Sequence, residues 1–127
     1  MKPILADASA ILAYLNFEPG GEAVAKQLEH IAISSVNLAE VVTVLMLRGV
    51  KKDWIESRVY RVFGNILPFD REQAQLAGSL CVLTHQHGLS LGDRSCLAAA
   101  LIQDAKVLTA DAAWTKVKLG LDIVLIR

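Results

Sequence analysis

Short apolar runs of strand length, separated by stretches with helical spacing, constrain this chain more than any other feature. They span 3–6, 30–34, 66–69, 106–110 and 122–126, and the segments between them place apolar residues three and four apart. A chain that alternates strand and helix in this way is expected to build an α/β fold. The expectation is three layers, α/β/α, with a central, mostly parallel sheet of four to five strands covered on both faces and wound right-handed. Pro68 inside the third run confines that strand to an edge or to its own end.

The helical stretches follow in order. After the first strand, residues 10–15 continue as an apolar helix, and 22–29 read as a short helix with Ala23, Val24 and Leu28 inward. Ser34 and Ser35 offer an N-cap for a helix over 36–48, and Gly49 offers its stop. That helix is apolar nearly all round, which predicts burial. Residues 51–63 form an amphipathic surface helix ended by Gly64, and Asp70-x-x-Gln73 resembles a capping box for one long helix to about His87, closed by Gly88. From Leu89 a turn leads into a small-residue helix ending near Ile102. Residues 112–118 are helical or irregular.

With 127 residues the chain is expected to form one domain. A formal net charge of zero advertises no broad phosphate-binding face, so any contact with nucleic acid has to be local or to work through a metal. Apolar residues make up 54% and mean hydropathy is +0.41. A small chain this apolar cannot hide all of it, and the surplus predicts a covered surface in an oligomer. Cys81 and Cys96 lack metal-ligand spacing and read as buried thiols. No apolar run approaches the ~20 residues of a membrane helix, and Asp7 interrupts what would be a signal-peptide core. A reducing cytoplasm fits.

Asp7, Glu40, Asp93 and Asp111 stand out against apolar neighbours. Each has a dull explanation singly: Asp7 and Asp111 can cap the helices that follow them, Ser90-x-x-Asp93 fits a capping box, and Asn37-x-x-Glu40 could be another if its helix starts late. Jointly they carry more. Asp7 and Asp111 end parallel strands and the other two lie near helix starts, positions that share one edge of a βαβ sheet, where ligands bind. Clustered like charges need protons or cations, and oxygen-only ligands favour Mg²⁺ or Mn²⁺ over zinc. One ion or two so placed can assist in-line displacement at a phosphodiester. The residues thus point to a metal-dependent nuclease.

Leu5-Ala-Asp-Ala-Ser9, Ser34-Ser-Val-Asn-Leu-Ala-Glu-Val41, Leu89-Ser-Leu-Gly-Asp-Arg94 and Val107-Leu-Thr-Ala-Asp-Ala-Ala-Trp114 resemble, in order, the signature blocks of the PIN domain, most closely its VapC toxin branch. The resemblance covers nearly the whole chain. It implies an endoribonuclease whose Asp7, Glu40, Asp93 and Asp111 bind Mg²⁺ or Mn²⁺, with Ser9 and Thr109 ordering metal water or phosphate. It further implies a homodimer and a VapB-type antitoxin that obstructs the site, with 41–48 and 51–63 near those surfaces. Arg94 either pairs with a carboxylate or touches substrate phosphate.

Other features read more plainly. Lys51, Lys52, Arg58 and Arg61, with Lys116 and Lys118 elsewhere, are solvated surface or an RNA guide. His85 and His87, two apart, point to different sides of a helix, and Trp54 and Trp114 read as packing residues. Two competing functions remain for a small parallel α/β chain with clustered acids. One is a receiver-like phosphoacceptor module, which lacks a Lys at the end of a late strand because Lys106 begins one. The other is a non-catalytic metal-binding scaffold that serves only its partner.

Overall fold

The structure, a computed structural model, describes residues 2–127. Its strands are β1 (Ile4–Ala6), β2 (Ile31–Ser34), β3 (Ile66–Leu67), β4 (Lys106–Thr109) and β5 (Ile123–Leu125). They form one sheet in the order β3-β2-β1-β4-β5, every neighbouring pair parallel. The helices are α1 (Ala8–Leu15), α2 (Gly21–Ala25), α3 (Ser35–Leu47), α4 (Lys52–Val62), α5 (Arg71–Ser79), α6 (Cys81–Thr84) and α7 (Leu91–Gln103), with 3₁₀ turns at Leu28–His30, His85–His87 and Ala112–Lys116. This is the three-layer α/β/α arrangement expected, and β3 holds the edge position that Pro68 requires.

Side-chain alternation along each strand divides the interior into two halves. Ile4, Ala6, Ile31, Ile33 and Leu108 face one half, packed against Ile11, Leu15, Val41, Leu45, Ile55 and Val59 of α1, α3 and α4. Leu5, Ala32 and Val107 face the other, against Ala77, Leu97, Ala98 and Trp114. The small residues of α7 let it lie close against the sheet, which is why its Cys96–Ala100 stretch is fully buried.

Several expectations change. The α3 helix is not buried all round: Val41 and Leu45 point into the core, while Met46 and Leu47 are exposed, Leu47 to 84%. It belongs to an outer layer, so a single stripe meets the sheet however apolar the rest is. Residues 70–87 do not make one helix. Asp70 does cap α5, accepting from Gln73 N at 2.9 Å, but the run breaks at Leu80. There the Ser79 hydroxyl donates to Leu76 O at 2.8 Å and the Thr84 hydroxyl to Leu80 O at 2.8 Å, side chains taking up carbonyls on either side of the break. The break turns Cys81 outward, so of the two expected buried thiols Cys96 is buried and Cys81 is exposed. The 22–29 stretch is α2 plus a 3₁₀ turn. Gly49, at φ +83°, ends α3 as expected. Among the described residues no helix is long and apolar enough to cross a membrane.

Candidate functional site

From β1 the chain runs through α1 and α2 to β2 on one face of the sheet, whereas β4 is entered from α7 and left through the Trp114 turn on the other. Strand order therefore reverses between β1 and β4, and in open α/β sheets such a reversal leaves a crevice beyond the strand ends. Asp7 and Ser9 follow β1 there, and Thr109 ends β4 beside them.

Asp7 Oδ1 caps α1 by accepting from Ala10 N at 2.9 Å, as the simple cap reading requires. It does more than cap. The Ser9 hydroxyl donates to the same oxygen at 2.7 Å, and the Thr109 hydroxyl donates to Oδ2 at 2.6 Å. Ser9 Oγ in turn accepts from Ala110 N at 2.9 Å and Thr109 Oγ1 accepts from Asp111 N at 3.1 Å. Both hydroxyl protons are thus spent on Asp7, and backbone amides from the end of β4 fix the hydroxyl oxygens. The residue is buried, 4% exposed. Burial raises its pKa from the ordinary 3.8 to about 6 against the lowering effect of these three hydrogen bonds, and the charge of Asp93 adds to the rise.

Glu40 lies in the second turn of α3, where Asn37 Nδ2 donates to its Oε1 at 2.7 Å. Asn37 does not cap that helix; Ser34 does, accepting from Val36 N at 3.3 Å. The Glu40 carboxylate lies against Gly92 in the first turn of α7, so closely that a Cβ at Gly92 would overlap it. Asp93 completes the capping box with Ser90: its Oδ2 accepts from Ser90 N at 2.9 Å, and Ser90 Oγ accepts from Asp93 N at 3.2 Å. Cys96, one turn further along α7, has its thiol pushed well above the ordinary range by burial and then by the charges of Asp7, Asp93 and Glu40. Asp7 at the start of α1, Asp93 in α7 and Glu40 in α3 thus all lie near enough to Cys96 for their charges to bear on it.

Asp111 stands apart from this group. It is exposed, and its Oδ1 accepts from Ala113 N at 3.0 Å to cap the turn after β4. Its link to Asp7 runs through its own backbone N–H and Thr109. Arg94 meets neither a carboxylate nor the crevice: its Nη1 donates to Ala77 O and Gly78 O of α5 at 3.1 and 3.4 Å, tying α7 to α5. Trp114 is fully buried, and Trp54 lies under the Arg58 guanidinium at 5.6 Å.

As the side chains stand, among the described residues no three His, Cys, Asp or Glu groups come within reach of one ion. The donor chemistry nevertheless suits a hard cation: every candidate ligand is a carboxylate oxygen, Asp7, Glu40 and Asp93 all lie near Cys96, and glycine at 92 leaves the space that the Glu40 carboxylate fills. Mg²⁺ keeps several waters and needs only one or two direct carboxylates, so waters can span what the side chains do not. Reading the sequence for isolated acids missed Asn37 and Gly92 as site residues. The available signal was an amide three residues before an acid on a helix, and a glycine next to another acid.

Residues 4–119 match the PIN domain family. No curated protein matches the chain. Among solved structures, FitAcB from Neisseria gonorrhoeae is similar, with 23% identity, a TM-score of 0.76 and 97% of each chain covered. DNA-bound VapBC from Salmonella typhimurium shares 16% identity over 100% of each chain at a TM-score of 0.77. VapC20 of Mycobacterium tuberculosis, a sarcin-ricin-loop-cleaving toxin, shares 18% identity over 89% of this chain and 93% of its own at a TM-score of 0.68. The order of the strands, the acid at the end of β1 and the match over 4–119 lead to one assignment: the chain belongs to the PIN domain family.

Proposed function

We propose that this PIN domain is a divalent-metal-dependent endoribonuclease, acting as a VapC-type toxin of a type II toxin–antitoxin pair. The observation that carries the reading is Asp7, buried at the β1/β4 reversal with both carboxylate oxygens fixed by Ser9, Ala10 N and Thr109. Likeness to VapC20, described as a toxin that cleaves the sarcin-ricin loop, and to the VapBC complexes supports the activity and the partner. Asp7, Glu40 and Asp93 would hold Mg²⁺ or Mn²⁺, with Asp111 contributing from the rim. When bound, such a cation neutralises phosphate charge and activates water for attack.

The chain's own part is positioning. Ser9 and Thr109 orient both oxygens of Asp7, and with Ala10 N also on Oδ1 the one remaining lone pair, on Oδ2, is directed by geometry rather than by rotamer freedom. Asp93 is held by the first turn of α7 and Asn37 holds Glu40. Exposed Met46, Leu47, Tyr60, Val82 and Leu83 supply apolar surface for a VapB-type antitoxin and for a second copy of the chain in a homodimer. The 127 residues work as one domain in the cytoplasm.

An RNA cleavage assay tests this. Purified protein should cut RNA with Mn²⁺ and not with chelator, and Asp93→Asn, whose amide oxygen can still accept from Ser90 N, should fold and lose the activity. A folded wild-type protein that binds Mn²⁺ and never cleaves would instead be a non-catalytic metal-binding scaffold.

A further inference from the structure

Asn37 is among the most buried polar side chains of the molecule, 1% exposed, and its two amide protons go to two different elements. One goes to Glu40 Oε1 at 2.7 Å within α3, the other to Gly92 O at 3.0 Å in the first turn of α7. Both partners are oxygens that only accept, so the amide has a single sensible orientation: flipped, it would set Oδ1 against two acceptors. In that orientation Oδ1 is itself buried and meets no donor among the described residues. Burying an unpaired amide oxygen lowers stability, and an apolar side chain of this size would avoid it. Positions that break a packing rule in this manner are expected at functional sites.

Gly92 closes the other side. With no side chain there, the Glu40 carboxylate lies directly on the α7 backbone, and an added Cβ would overlap it. Asn37 therefore pulls the carboxylate toward the residue next to Asp93, and Gly92 makes room for it.

We infer that Asn37 and Gly92 are positioning residues for Glu40, a clamp that holds its carboxylate at the N-terminal turn of α7 so that it and Asp93 can serve one divalent cation. This rests on the metal-site reading above, and the experiment separates the two. Mn²⁺ binding is measured by calorimetry, and melting temperature in chelator, for wild type, Asn37→Ala, Gly92→Ala and the double variant. Gly92→Ala is the cleaner probe: alanine suits a helix, and the overlapping group is the end of a flexible side chain, so the fold should hold while Glu40 swings away. Each single variant should weaken Mn²⁺ binding roughly tenfold, and the double variant should weaken it no further than the worse single one, because both release the same carboxylate. Cleavage should fall in kcat more than it rises in KM.

Single variants that melt lower in chelator yet bind Mn²⁺ as wild type does would overturn the clamp, leaving Asn37 as a tie between α3 and α7. Multiplying losses in the double variant would overturn it too. Wild-type protein that binds no Mn²⁺ would instead remove the metal-site reading, and the clamp with it.

Discussion

Asp7→Asn should make the metal-free protein more stable at neutral pH, although it removes the residue on which the proposed activity depends most. In the folded chain the Asp7 pKa is raised from 3.8 to about 6, so folding favours its protonated form. The stability this represents is fully present below about pH 4 and is lost as pH rises through about 6. Above that the folded protein carries a buried charge that costs up to about 3 kcal/mol, an order-of-magnitude figure from the size of the rise. The group is 4% exposed, so solvent screens little of it.

Asparagine keeps an oxygen for Ala10 N and Ser9 Oγ but turns an NH₂ toward Thr109, whose hydroxyl then has to rotate away from its 2.6 Å bond. Losing that hydrogen bond costs about 1 kcal/mol, which leaves a net gain of about 1–2 kcal/mol at pH 7.5. For a domain of this size that corresponds to a rise in melting temperature of about 3–8 °C. Melting curves in chelator from pH 4.5 to 8 would show the variant and wild type nearly coincident at pH 4.5, separating as pH rises to about 6 and holding a constant gap above that, with the variant higher. A variant that melts below wild type at pH 7.5, or a gap that does not change between pH 4.5 and 6, would refute the reasoning.

Mn²⁺ at millimolar concentration should raise the melting temperature of wild type at pH 7.5 and leave Asp7→Asn nearly unmoved, since a ligand stabilises only the state that binds it; equal shifts in both would place the ion elsewhere. Trp114 fills the core with its Nε1 buried and unpartnered. Trp114→Phe should therefore cost little more than the lost volume, about 1–2 kcal/mol, whereas Trp114→Ala should cost about 3–5 kcal/mol by urea unfolding.

The order of elements was readable from residue pattern, because strand and helix impose different spacings on apolar side chains and this chain obeys both. So were the caps at Asp7, Asp70, Ser90 and Asp111, where a local oxygen serves a local N–H. Less accessible was anything that depends on which way an element faces. The α3 residues are apolar all round, yet only its neighbours decide that Leu45 is buried and Leu47 is 84% exposed. Arg94 adjoins an acid in sequence but points to α5, because helical geometry sends consecutive side chains to different sides.

Residue pattern implies a parallel α/β sheet and four acids near the ends of its strands and the starts of its helices. Only packing brings Thr109, 102 residues from Asp7, to donate its hydroxyl proton to it, and carries Asn37 across 55 residues to Gly92. It also set Asp111 at the rim while Asp7 lost its solvent. The physical reason is that periodicity and capping are local energies, written in neighbouring residues. Burial, charge coupling and room for a carboxylate belong to the space between elements, which exists only once the chain has packed.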